Sequence, residues 1–126
     1  MAILSEESKV LKNIREVVTY KLLNDSSVDE TTSTAVSCID ADKVTLIVET
    51  SAGTSGGVVT LEGARTSTYT GAWQSLGTIT TNAASTTFMI TVDVSDSPGM
   101  PIPYIRARVS TAITGGTLDA YLITRR

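Results

Sequence analysis

From residue 43 onward, apolar side chains recur at every second position through most of this chain. Lys43–Ser51 places Val44, Leu46 and Val48 on one face and Thr45, Ile47 and Glu49 on the other. Thr87–Ser95 turns Phe88, Ile90, Val92 and Val94 inward and Met89, Thr91, Asp93 and Ser95 outward. A period of two marks a strand with one buried face. Gly57–Ala64 reads as another strand, across a Gly53–Gly57 loop. Ala72–Thr80 reads as one more, carrying Trp73, Leu76 and Ile79, with a slip in the alternation near Gly77. Composition agrees: 35 of the 126 residues are Ser or Thr, and β-branched threonine suits a half-exposed pleated surface. Six or seven strands separated by Gly, Pro, Ser and Thr loops predict an all-β body, an antiparallel β-sandwich or jelly roll.

The last 23 residues carry a sharper local signal. Tyr104–Ile113 and Thr117–Thr124 flank Gly115-Gly116, a two-residue hairpin turn by sequence. A hairpin there sets Val109 opposite Leu122 and Ile113 opposite Leu118. Its buried face holds Ile105, Ala107, Val109, Thr111 and Ile113 with Leu118, Ala120, Leu122 and Thr124. Its other face carries Tyr104, Arg106, Arg108, Ser110, Asp119 and Tyr121. Tyrosine and arginine together are the composition of an interface patch, so Tyr104, Arg106, Arg108 and Tyr121 are candidate oligomer contacts. Pro98-Gly99 marks a turn, and Pro101 and Pro103 an extended connection unsuited to a central strand.

The N-terminal region differs. In residues 5–23, Val10, Leu11, Ile14, Val17, Val18 and Leu22 recur at helical spacing. Ser5 can cap a helix whose first turn holds Glu6 and Glu7. The pattern predicts a helix from about 5 to 18; the rival is an extended arm, since Val17-Val18-Thr19-Tyr20 is good strand material. Either way the apolar stripe needs a surface, so these six residues are candidate partner contacts. Residues 24–35 are polar and aperiodic, a linker. The chain therefore divides into an arm, 1–30, and a sandwich domain, 31–126.

Several function classes lose their chemistry here. The chain has no histidine and one cysteine, Cys38. It lacks the usual base near neutral pH, the commonest metal ligand and any intrachain disulfide. Gly53-Thr54-Ser55-Gly56-Gly57 matches the signature around the nucleophile of chymotrypsin-like proteases, but without histidine nothing takes the serine proton. Asp40, Asp42, Glu49 and Glu62 have calcium-type oxygens without the glycine and terminal glutamate of a calcium loop. As a glycosidase pair they would want an aromatic cleft, and the chain has six aromatic residues. No catalytic residue, metal or cofactor is expected. The formal charge is −3 with no dense Lys/Arg cluster, which argues against nucleic acid. No run approaches the roughly 18–20 apolar residues of a membrane span, and Met1–Leu4 is too short for a signal peptide. A soluble chain made in the cytoplasm is expected. Cys38 reads as a small buried residue, and Trp73 as the large aromatic of the core with Tyr69 exposed nearby.

The Thr-rich body, together with Trp73-Gln74-Ser75-Leu76-Gly77-Thr78-Ile79, Pro103-Tyr104-Ile105-Arg106-Ala107-Arg108-Val109 and Gly115-Gly116-Thr117-Leu118-Asp119-Ala120-Tyr121, resembles the β-sandwich decoration (cement) and head-fibre proteins of tailed bacteriophages. The resemblance covers residues 36–126. It implies a non-enzymatic virion protein bound outside an icosahedral capsid, usually a homotrimer, with the major capsid protein and sister subunits as partners. Made in the host cytoplasm, it would end in the virion. Two other readings stand beside it. One is a head–tail adaptor, tail or fibre component that forms a ring. The other is a carbohydrate-binding module with Trp73 and Tyr69 as its platform.

Overall fold

The computed structural model describes residues 17–38, 41, 43–96 and 100–125. Its strands are β1 (Val17–Ser26), β2 (Val36–Ser37), β3 (Lys43–Thr50), β4 (Gly56–Ala64), β5 (Gln74–Thr80), β6 (Thr87–Asp93), β7 (Ser95–Asp96), β8 (Met100–Pro101), β9 (Tyr104–Thr114) and β10 (Leu118–Arg125). Eight of them form two four-stranded antiparallel sheets, one in the order β1-β10-β3-β6 and one in the order β2-β9-β4-β5. This order is that of a jelly roll. β7 and β8 make a short ribbon of their own. Among the described residues there is no helix.

The pairing follows a simple rule. Val17 lies opposite Arg125, Val36 opposite Ile105, Lys43 opposite Asp93 and Val58 opposite Thr80. The midpoints of these pairs all fall between residues 68 and 71. The chain is one long hairpin, its tip in the loop that joins β4 to β5, rolled so that successive segments alternate between the two sheets. Apolar faces of both sheets then meet in the middle. Val44, Leu46 and Val48 on β3, Val59 and Leu61 on β4, and Ala120 and Leu122 on β10 are all sealed from solvent.

This topology overturns the expected C-terminal hairpin. β9 belongs to the second sheet and β10 to the first, so Val109 pairs with Val59 and Leu122 with Leu46. The inward faces are as expected: Ile105, Ala107, Val109, Ile113, Leu118, Ala120, Leu122 and Thr124 are all buried. Thr111 is exposed, beside register shifts in the β4–β9 ladder. Alternation specifies which face meets the core, and two sheets facing one core show the same alternation. The Gly53–Gly57 loop is likewise a crossing from the first sheet to the second, not a hairpin.

The two crossings brace each other. Ser55 N–H donates to the Thr114 carbonyl at 2.8 Å, and Ser51 N–H to the Thr117 carbonyl at 2.9 Å. Gly53 and Gly115 both have left-handed backbone, with φ of 92° and 80°. A Cβ on Gly115 would run into the carbonyl oxygen of Gly53. The backbones approach too closely for any side chain.

At the N-terminal side the extended reading holds for Val17–Tyr20, which begin β1; residues 5–16 lie outside the described residues. Val18, Tyr20 and Leu22 take the inward side of the strand while Val17 is exposed. The polar stretch 24–35 is not a free linker. Residues 24–26 finish β1 beside β10, and from Ser27 the backbone runs along β9: Ser27 accepts from Ile113 N–H, Glu30 donates to Val109, and Ser33 donates to Ala107, all at 2.8–2.9 Å. The slip expected near Gly77 is a bulge, where Leu76 is skipped between Leu61↔Gly77 and Glu62↔Ser75. The Pro98-Gly99 turn lies outside the described residues.

Two substitutions test this packing. Gly115→Ala should destabilise the fold by about 2 kcal/mol or more, from left-handed strain added to a backbone clash. Thr124 is 1% exposed, and its hydroxyl has no partner among the described residues. Thr124→Val should therefore stabilise by about 1 kcal/mol. Urea unfolding midpoints measure both.

Candidate interaction surfaces

The outer face of the second sheet is built around a charge that a solvent-facing strand does not ordinarily bury. Glu62 on β4 is 3% exposed. Arg106 lies directly across from it on β9, and its Nε donates to Oε1 at 3.1 Å. Arg108, two residues along the same face, reaches diagonally, and its Nε donates to Oε2 at 2.8 Å. Arg108 also donates through a terminal guanidinium nitrogen to Glu30 at 2.8 Å. The isolated bridge of Thr32 to Arg108 holds the Glu30 segment beside β9. One side of Arg106 is stacked on Trp73, its guanidinium 4.1 Å from the ring centroid. Trp73 Nε1 donates to the Tyr69 carbonyl at 2.9 Å.

Two guanidiniums against two carboxylates make the cluster electroneutral, so it offers no unpaired charge to an anionic ligand. The hydrogen bond to Glu62, opposed by desolvation, raises the pKa of Arg108 above its ordinary value. A raised arginine pKa contributes stability that is fully present at every pH below the unfolded value. From this side of the pair, stability is constant across the physiological range and is lost only in strong alkali.

Trp73 is 8% exposed and faces Arg106. It is buried, but on the outer face of the second sheet against Arg106 and not between the sheets as expected of the core aromatic. It is not an open platform for a sugar, whereas Tyr69 is 47% exposed. Cys38 is buried, as expected. Asp40 and Asp42 lie outside the described residues. Among the described residues no group of three His, Cys, Asp or Glu side chains is placed to hold a metal ion.

The four tyrosine and arginine candidates do not form one patch. Tyr104, Arg106 and Arg108 face out of the second sheet, whereas Tyr121 faces out of the first, on the far side of the sandwich. There Tyr121 sits in a row with Lys21, Ile47 and Met89, followed by a row of Thr19, Ile123, Thr45 and Thr91. Thr45 and Thr91 share a hydroxyl hydrogen bond of 2.9 Å, and Met89 is 63% exposed. Lys21 and Asp119 pair loosely at 3.8 Å. This face is uncharged at its centre, where Tyr121, Ile47, Ile123, Thr45 and Thr91 lie. Of the six apolar N-terminal candidates, Val10, Leu11 and Ile14 lie outside the described residues. Val18 and Leu22 face into the sandwich, and Val17 is open. A cleft of about 400 Å³ separates β1 from the β2 segment, lined by Tyr20, Leu22, Thr34, Val36 and Ser37 among others.

Glu62 was legible in the sequence only as an isolated carboxylate; its role depends on which strand lies beside β4. Replacing it with an uncharged isostere should be costly, because both guanidiniums then lose their counter-charge. Glu62→Gln should lower stability by about 3 kcal/mol, against within about 0.5 kcal/mol for the exposed Glu49→Gln. Chemical denaturation of both variants at neutral pH measures the difference.

No protein-family model matches the chain, and no curated protein matches it. Its fold is nevertheless shared with solved structures. The SPBc2 prophage-derived protein YomS superposes with a TM-score of 0.59 at 9% identity, over 90% of this chain and 96% of that one. The K2 cleaved adhesin domain of Lys-gingipain gives 0.57 at 18% identity, over 87% and 71%. The K3 adhesin domain of Lys-gingipain from Porphyromonas gingivalis gives 0.57 at 12% identity, over 86% and 73%. At these identities the likeness is one of fold alone.

Proposed function

We propose that this chain is a non-enzymatic structural protein of a tailed-phage virion, a decoration protein on the outside of an icosahedral capsid. The observation that carries the reading is the end-to-end agreement of its jelly roll with a prophage-derived protein, nine-tenths or more of each chain being covered. The surface chemistry supports it. Among the described residues, the one strongly buried charge, Glu62, is neutralised within the fold by Arg106 and Arg108. The remaining described surface is rich in Ser and Thr hydroxyls. Such a body suits recognition of a protein shell by shape and hydrogen bonding, without a reactive group.

The partners in this reading are the major capsid protein and sister subunits. The segment that ends at Val17 carries Val10, Leu11 and Ile14, apolar residues suited to docking on the shell. Val17 itself is 60% exposed where that segment joins β1. Deleting residues 1–30 would not test this cleanly, because it removes all of β1 from the first sheet. Deleting residues 1–16 leaves β1 intact.

The expected outcome is that full-length protein co-sediments with capsids of the phage that encodes it, while the 17–126 form remains folded by circular dichroism and binds at least tenfold more weakly. Unchanged binding by the truncated form removes the arm from the docking mechanism. Absence of the chain from purified particles removes the virion reading altogether.

A further inference from the structure

Four strands end the two sheets, and three of them are poor templates for a new partner. β1 is interrupted by register shifts after Lys21 and after Leu23, with Asp25 in a left-handed conformation. β2 is two residues long. β5 carries the bulge at Leu76. Bulges, brevity and edge charges are the usual protections of an exposed sheet edge.

β6 has none of them. It is an unbroken seven-residue strand, Thr87–Asp93, in regular register with β3 along its whole length. Among the described residues nothing pairs with its other side. It holds no proline, glycine or lysine, and its one charge is Asp93 at the end. Phe88, Ile90 and Val92 are only partly buried, so the core is incompletely closed along this margin. Met89 stands outward at 63% exposure.

We infer that β6 is the contact between two copies of this chain, joined antiparallel about a two-fold axis through Ile90. A strand pairing with itself around Ile90 uses all seven residues. It sets Phe88 against Val92 of the second copy and Met89 against Thr91, and it keeps each Asp93 opposite Thr87. No like charges meet. Every inward residue remains inward, so the two four-stranded sheets become one sheet of eight with a continuous apolar face. Such a two-fold contact is isologous and closes on itself. Main-chain hydrogen bonds supply its affinity, as in other strand-addition interfaces. The inference does not depend on the virion reading, and it replaces the three-fold symmetry implied by the sequence resemblance with two-fold pairs.

Light scattering coupled to size-exclusion chromatography, from micromolar to millimolar protein, tests it. The full chain should approach about 27 kDa, twice 13.3 kDa. Met89→Lys combined with Thr91→Lys puts lysine against lysine at two points of the contact. Both positions are exposed in the single chain, so the variant should stay folded by circular dichroism while the dimer dissociation constant rises roughly 30-fold or more. Thr19→Lys puts the same charge on the opposite edge of the same sheet and should leave the dimer intact. A monomer at all concentrations, a mass of three copies, or a dimer indifferent to the paired lysines would each overturn the assignment.

Discussion

Everything in this molecule depends on hydrogen-bonded pairing between stretches far apart in the chain. Val17 meets Arg125 and Val36 meets Ile105; among the pairs of the two large sheets, β4 and β5, at the tip of the rolled hairpin, are the near neighbours in sequence. Closing such long loops costs entropy before any contact offsets it. What offsets it is mutual: among the described residues, the inner face of each sheet packs on that of the other. Neither sheet can exist alone. The aliphatic interior of Val, Leu, Ile and Ala is well matched to this, since small branched side chains interdigitate between twisted sheets without polar atoms to satisfy. A topology so dominated by non-local contacts folds on the slow side of the range for domains of this size.

The outer face of the second sheet uses a different physics. A carboxylate at 3% exposure would be prohibitive alone. Arg106 and Arg108 approach it from the neighbouring strand, and Glu30 balances the second of them. Because the partners come from β4, β9 and the segment beside β2, the cluster ties three adjacent strands in one register. A slip of β9 by one residue would turn both arginines into the apolar core and strand Glu62 on the opposite face. The cluster adds little net attraction after desolvation, but a misregistered sheet becomes much more expensive.

The inward and outward faces of the strands were legible in the sequence because alternation reports burial directly. Val44, Leu46 and Val48, or Ile105, Ala107 and Val109, could be placed against the core without knowledge of their partners. The partners themselves were not legible. Gly115-Gly116 has the chemistry of a tight turn, and the same chemistry serves a sheet-to-sheet crossing that passes close to Gly53. Choosing between them requires knowing that β3 and β4 already occupy the flanks of β10 and β9. Residues 24–35 misled for the converse reason: their contribution is made by backbone groups bonded to β10 and β9, which leaves no trace in side-chain pattern. The helical spacing of Val17, Val18 and Leu22 was coincidental with a strand, in which Val17 and Val18 take opposite sides. The electroneutral cluster was hidden because Glu62 and Arg106 are 44 residues apart.

One geometric fact bears on how this domain can be used. Residues 17 and 125 lie side by side on adjacent strands, so the chain enters and leaves the first sheet at the same corner. The two ends could be spliced by a short linker and new ends opened at the exposed loop around Tyr69. The result would be a circular permutant in which every strand pair of the two four-stranded sheets closes around the splice instead of around the old tip. For an engineer, that corner is a single port through which both an anchor and a displayed peptide leave the domain together.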